Sequence, residues 1–231
     1  MKEDKYCHCI IMPLLYYTAR AFFIGGIIMK KENLRALIVC ALFGGLGLVL
    51  MLLEFPLPML IPSFIKLDFS EIPAIIVSFA YGPLFGVLVC FIKNLLHLFV
   101  TTSAGVGELS NFILGAIFVG VAGFVYRKNK SRKSALIGSL AGALAMAVLG
   151  VITNYFIVYP AYTVLYGMPM PAIVGMYQAI LPFSDNLIKS LVIFNLPFTF
   201  VKGVIDAAFC FAVYKRISPL LKSFRNKKLD K

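Results

Sequence analysis

Long apolar runs recur along this chain, broken by short clusters of lysine and arginine, and that alternation confines it to one class of fold. About 20 apolar residues, rising ~1.5 Å each as a helix, match the ~30 Å hydrocarbon thickness of a bilayer. With 231 residues, 61% of them hydrophobic and only 14% charged, the chain holds more apolar surface than a soluble domain of its size can bury. It reads as an all-α integral membrane protein. The formal charge of +12 could suggest nucleic acid, but the basic residues fall between the apolar runs, as positive-inside topology requires. No nucleic-acid partner is expected.

Six transmembrane helices are expected, at roughly 34–54, 71–81, 83–101, 108–126, 134–159 and 197–215. The second is short and is separated from the third by Gly82-Pro83, so it is tolerable only if packed among other helices. Lys30, Lys31 and Arg35 precede the first span, "RKNKSRKS" at 127–134 joins the fourth to the fifth, and "YKRISPLLKSFRNKKLDK" ends the chain. These clusters share one face only if there are six crossings with both termini cytoplasmic. The opposite loops carry Lys66 and Lys189 beside Glu54, Asp68, Glu71, Glu108 and Asp185. Two of those outer loops, 55–70 and 160–196, are long and rich in proline and aromatics, which favours ordered lids.

Residues 1–28 fit this scheme poorly. "CIIMPLLYYTARAFF" is cut by Pro13 and Arg20 into pieces too short to span, and no small-residue cleavage site follows. "MKKENLRALIV" from Met29 reads as a fresh start, which makes 1–28 an extension upstream of a single membrane domain at 29–231; the alternative is an interfacial helix.

Phosphate-loop, HExxH and GxSxG patterns are absent, and the histidines are His8 and His97. An enzyme, and above all a self-powered ATPase, is disfavoured. Cys7, His8 and Cys9 lack a fourth ligand for a metal, and Cys40, Cys90 and Cys210 lie in apolar runs as small hydrophobes. No metal or cofactor is expected.

The informative residues are polar ones inside the spans, each costing about 2.5–3.5 kcal/mol when charged at mid-membrane unless partnered. They are Lys93, Asn94 and His97 on the third span, Asn111 on the fourth, Asn154 on the fifth, and Lys202 and Asp206 on the sixth. With the sixth entering at Pro197 and the fifth leaving near Tyr159, Lys202 and Asn154 lie about 7–8 Å below the outer surface. Asn94 and Asn111 also fall in the outer half. Four helices thus place amides and an ammonium at one level, forming a cavity open to the outside for an apolar, aromatic solute with a few carbonyl and N–H groups. Asn94 and Asn111 fit helix–helix hydrogen bonding equally well, and Lys202 could be neutralised by Asp206 one turn on. On the first span, "ALFGGLG" sets Ala41 and Gly45 at the spacing that lets another helix approach closely, from a partner or from this chain.

The outer stretch "FIKLDFSEIP" gathers Lys66, Asp68 and Glu71 where water can solvate them. Asp68 or Ser70 can cap the second helix, with Glu71 at its positive end and Pro73 in its first turn. The stretch reads as one anchor of a movable 55–70 loop.

The run "LDFSEIPAIIVSFAYGPLFGVLVCFIKNLL", then "VGELSNFILG", "TNYFIVYP" and "LPFTFVKG" in that order, resembles the riboflavin-specific S components of energy-coupling factor (ECF) transporters over about residues 34–225. The resemblance implies a six-helix subunit of the prokaryotic cytoplasmic membrane that captures riboflavin from outside. A transmembrane coupling protein and two cytoplasmic ATPases would then drive uptake. It further implies that Asn154 of "NYF" and Lys202 contact the flavin ring, that the loop at Leu67, Asp68 and Phe69 closes over it, and that Ala41 and Gly45 dock the coupling protein. Thr199 stands where the family pattern has asparagine, and Asp206 adds a carboxylate beside Lys202; both bear on selectivity among flavins. An S component for another vitamin such as thiamine or pantothenate, a self-sufficient secondary transporter using Lys93, His97 and Asp206, and a membrane enzyme are the alternatives.

Overall fold

The computed structural model describes residues 31–226 except 64, 102, 166 and 185, with backbone alone for 31, 32 and 214–226. The 1–28 extension, Met29 and the Cys7-His8-Cys9 cluster lie outside the described residues. The chain divides after Ala36; of the first unit, 31–36 are described, as helical residues of α1, and the rest of this section concerns residues from Leu37 on.

Helix α1 (Lys31–Leu52) leads into a two-residue ribbon, β1 (Phe55–Pro56) antiparallel to β2 (Lys66–Leu67), then α2 (Glu71–Tyr81) and α3 (Pro83–His97). Helices α4 (Val106–Lys128) and α5 (Arg132–Thr153) form an antiparallel pair, and α5 runs on through a π-helical turn, Asn154–Val158, into α6 (Tyr159–Leu165). Then come α7 (Met170–Gln178), α8 (Leu187–Ser190), a second π-helical turn (Leu191–Asn195) and α9 (Leu196–Asn226). Among the described residues, five helical segments are long and apolar enough to cross a bilayer: Asn33–Leu52, Pro83–Val100, Val106–Lys128, Arg132–Leu165 and Leu187–Val213. Ile38, Leu42, Leu46 and Val49 of α1 recur on an exposed stripe. Exposed apolar residues at helical spacing are what lipid requires and water would penalise.

At 11 residues, α2 reaches about 16 Å, half the hydrocarbon thickness. It survives because it is encased: Glu71 and Pro73–Phe79 are all buried, packed with α3, α4 and α9. Glycines let the neighbours close in. A Cβ at Gly115 of α4 would sit 2.6 Å from Glu71 Oε2, and one at Gly47 of α1 would sit 3.3 Å from the Lys93 side chain. Ser78 Oγ donates to the Val119 carbonyl at 2.8 Å, tying α2 to α4.

The expected start of the last span at Pro197 is corrected. The helix begins at Leu187 and carries Pro197 inside it. Proline lacks an N–H and crowds the preceding turn, so a helix that continues through it must rearrange just before. Here it widens to a π turn ending two residues before Pro197, and α5 does the same two residues before Pro160. The 160–196 segment is accordingly mostly helical, and 55–70 contains the ribbon.

Candidate functional site

One cavity gathers most of the polar residues named above. It is lined by Glu54, Lys66, Asp68 and Glu71 from the ribbon and the start of α2, by His97, Ser103, Glu108 and Asn111 around the α3–α4 connection, and by Asn154, Tyr159, Asn195, Thr199 and Lys202 from the π-bulged helices, with Met51, Leu114, Met146 and Phe198 among its apolar walls. The start of α4 and the end of α5 face it. The exposed basic turn of Arg127, Lys128, Lys130, Arg132 and Lys133 lies at the opposite ends of the same helices.

Asn111, Asn154, Thr199 and Lys202 are therefore brought together. Asn94 is not among the lining residues: it is buried in α3, its Nδ2 donates to the Cys90 carbonyl at 2.8 Å, and its Oδ1 has no hydrogen-bond partner among the described residues. Asn111 Nδ2 contacts Met51 Sδ at 3.8 Å, a weak interaction that leaves the amide available at the wall.

The two acids at the mouth are not solvated, contrary to expectation, whereas Lys66 stays partly exposed. Asp68 and Glu71 are 3% and 1% exposed. Burying a lone carboxylate is costly, and each has a cation: Lys202 Nζ donates to Asp68 Oδ2 at 2.8 Å, and Lys93 Nζ to Glu71 Oε1 at 2.7 Å. Ser70 links the pairs, its Oγ donating to Asp68 Oδ1 and accepting from Lys93 Nζ, while its N–H donates to Asp68 Oδ1 at 2.8 Å. No side-chain cap forms at the start of α2; Asp68 folds its own loop instead, and Glu71 is spent on Lys93. Burial alone would raise the Asp68 carboxyl, but the charges of Lys202 and Lys93 and the hydrogen bonds from Lys202 and Ser70 hold it well below the usual carboxylate range. At the rim, Lys66 pairs with Glu54.

Lys202 thus takes Asp68, not Asp206. Both Asp206 carboxylate oxygens are buried without a hydrogen-bond partner among the described residues. Lys93 and His97 each face a separate acid: Lys93 takes Glu71, while His97 Nδ1 lies 2.8 Å from Glu108 Oε1 and Ser103 Oγ donates to Glu108 Oε2 at 3.0 Å. Phe69 packs against Phe55 and against Phe209 of α9, at ring separations of 6.4 and 5.3 Å, and Leu67 lies in β2. The Leu67-Asp68-Phe69 loop is held to α9 by one ion pair and one aromatic contact. Ala41 and Gly45 face outward: Ala41 is exposed, and a Cβ at Gly45 would meet nothing within 4 Å, whereas Gly44 and Gly47 point inward.

Sequence reasoning missed Glu108, Tyr159, Tyr177 and Asn195. Asn195 carried a signal, a lone amide between Phe194 and Leu196, but it lay inside a segment read as loop.

The model of the substrate-specific component of ECF transporters matches residues 35–214. The chain belongs to that family. It is similar to the riboflavin transporter FmnP of Bacillus subtilis (strain 168), at 35% identity over 84% of this chain and 97% of that protein. It is also similar to the riboflavin transporter RibU of Staphylococcus aureus (strain TCH60), at 30% identity over 84% and 96%. A solved S component of a bacterial ECF transporter superposes with a TM-score of 0.64 at 29% identity, covering 83% of this chain and 99% of that one. The protein is a multi-pass membrane component of a transporter and not an enzyme, and as an S component it associates with an ECF module.

Proposed function

We propose that this chain captures riboflavin at the outer face of the cell membrane and delivers it inward with a transmembrane coupling protein and two cytoplasmic ATPases. What supports the substrate is the character of the cavity: amides at 111, 154 and 195, a hydroxyl at 199 and an ammonium at 202 set among apolar walls. That combination suits a planar heteroaromatic with an imide edge and a neutral hydroxylated chain, and the relatives named as riboflavin transporters align along most of this sequence. In this reading Asn154, Lys202, Thr199 and Asn111 touch the ligand, and Asn94 braces α3 behind the wall. Helix α2 makes the sixth crossing inside its protein casing, and both termini are cytoplasmic.

The ribbon with Leu67, Asp68 and Phe69 is the gate. When closed, it sets Asp68 on Lys202; when open, it must leave that ammonium to other partners. Ala41 and Gly45 offer the coupling protein a place of close approach beside the exposed Leu42 and Leu46. Binding needs no ATP, and transport does.

Purified protein titrated with riboflavin should quench the flavin fluorescence to saturation without any partner subunit. Proteoliposomes should accumulate riboflavin only when the coupling module and ATP are present. An unquenched titration would falsify the substrate assignment, and uptake by the chain alone would remove the dependence on a module.

A further inference from the structure

The hydroxyls of Tyr159 and Tyr177 and the amide of Asn195 form a closed ring of hydrogen bonds. Tyr177 Oη donates to Asn195 Oδ1 at 2.5 Å, Tyr159 and Tyr177 share a hydrogen bond at 2.5 Å, and Asn195 Nδ2 donates to Tyr159 Oη at 3.1 Å. All three are buried, at 1%, 0% and 4% exposure for Tyr159, Tyr177 and Asn195. They come from three separate elements. Asn195 is the last residue of one π turn, Tyr159 directly follows the other, and Tyr177 belongs to α7 in the outer segment. Asn195 and Tyr159 line the cavity; Tyr177 stands behind them.

A primary amide has two N–H donors and two acceptor lone pairs. The ring engages one of each, fixes the plane of the amide, and leaves a second N–H and lone pair uncommitted among the described hydrogen bonds. Side-chain amides inside an apolar wall are costly unless used, and the π turns that bring Tyr159 and Asn195 to that wall are themselves departures from the regular helix that cluster at functional sites. Burial also pushes the Tyr177 hydroxyl above its ordinary value, so it stays a neutral donor.

We propose that Asn195 is a ligand-recognising residue of the cavity and that Tyr177 is its positioning residue, so that the outer helix α7 acts on the ligand through one amide. The inference rests on the riboflavin reading and deepens it. Asn195 presents the free half of its amide to a donor–acceptor edge of the ligand, and Tyr177 acts on that amide through its hydroxyl, while its ring packs against Phe194. Loss of the Tyr177 hydroxyl therefore acts on binding only while Asn195 is there to be held.

The test is a double-mutant cycle on riboflavin affinity, read by fluorescence quenching of the full chain. Asn195→Ala should weaken binding about tenfold, the usual scale of one hydrogen bond to a ligand. Tyr177→Phe, which keeps the ring and loses the hydroxyl, should weaken it about threefold to tenfold. The double variant should bind no worse than Asn195→Ala alone. If Tyr177 merely holds α7 in place, its cost multiplies with that of Asn195→Ala, and that outcome overturns the inference, as does unchanged affinity in Asn195→Ala. Asn195→Asp accepts from Tyr177 but donates nothing, so it should be as weak as the alanine variant and carries the same comparison should Asn195→Ala not fold. Wild-type protein that binds no riboflavin takes down the substrate reading and this inference together; wild-type binding with an additive cycle removes only this inference.

Discussion

Around Asp68 the polar groups are charged: the buried Asp68, Glu71 and Lys93 and the partly exposed Lys202, stitched together by Ser70. Around Asn195 they are neutral, two tyrosine hydroxyls and an amide. Both clusters meet the rule that buried polar atoms need partners, but they differ in what happens when one partner leaves. A neutral ring that loses a member forfeits a hydrogen bond or two. A buried ion pair that loses a member strands a charge in low dielectric. The charged cluster therefore suits a contact that is either fully made or fully broken, as at a gate, and the neutral ring suits a recognition surface that must hold its shape.

The sharpest way to break the comparison is to strand a charge. Lys93→Met should cost about 3–5 kcal/mol of stability, because Glu71 then lies buried without a cation. Adding Glu71→Gln should recover most of that loss. Thermal unfolding in detergent measures both, and no recovery in the double variant would mean that the pair does more than neutralise itself.

Next in size is the pair that crosses from the proposed gate to the proposed site. Since Lys202 and Asp68 touch, a clean division of gating to one and recognition to the other is not expected. Lys202→Ala should weaken riboflavin binding about a hundredfold or more, losing the ligand contact proposed above and stranding Asp68, and Asp68→Ala by about tenfold. Equal dissociation constants for Asp68→Ala and wild type would detach the gate from the binding equilibrium.

A smaller effect of opposite sign is expected at Asp206, whose carboxylate oxygens are buried without hydrogen-bond partners among the described residues. Asp206→Asn removes the possibility of a buried unpaired charge and should raise stability by about 1 kcal/mol, seen as a melting temperature a few degrees higher. A lower melting temperature would show that Asp206 serves Lys202 in the folded protein.

The smallest expected effect is that of pH on the gate contact. Asp68 titrates below its ordinary value of 3.8, so its stabilisation is complete above that value and is lost only as pH falls through the lower folded value. Riboflavin affinity should thus be flat from about pH 8 to pH 5 as far as Asp68 is concerned. A fall in wild-type affinity across that range that vanishes in Asp68→Asn would contradict the pairing with Lys202.

Much of the fold was legible from local pattern. Apolar run length gave the helices, and the placement of Arg127, Lys128, Lys130, Arg132 and Lys133 marked the end of the bundle away from the cavity. The encasement of α2 followed from its shortness. Asn154 and Lys202 were legible as polar residues inside spans, and they line one cavity with Asn111 and Thr199, although the depth reckoned for Lys202 from Pro197 moves with the earlier start of its helix at Leu187. Pro160 and Pro197 misled, because a proline reads as a helix boundary unless the chain can widen the turn before it, and that widening depends on what the turn packs against.

Hydropathy, helical rise and the sign of loop charges act over one or two turns of chain, so the sequence alone was sufficient for the membrane class, most of the long helices and the family motifs, but not for the helices within 160–196. Which acid each buried lysine takes is a different kind of question. Lys202 had Asp206 four residues away on its own helix, yet it pairs with Asp68, 134 residues distant in sequence. Asn195 meets Tyr159 and Tyr177 only because two π turns and α7 converge. Such choices are settled by competition among several nearly equivalent partners, and only tertiary packing, by bringing some within 3 Å and shutting others out, decides between them.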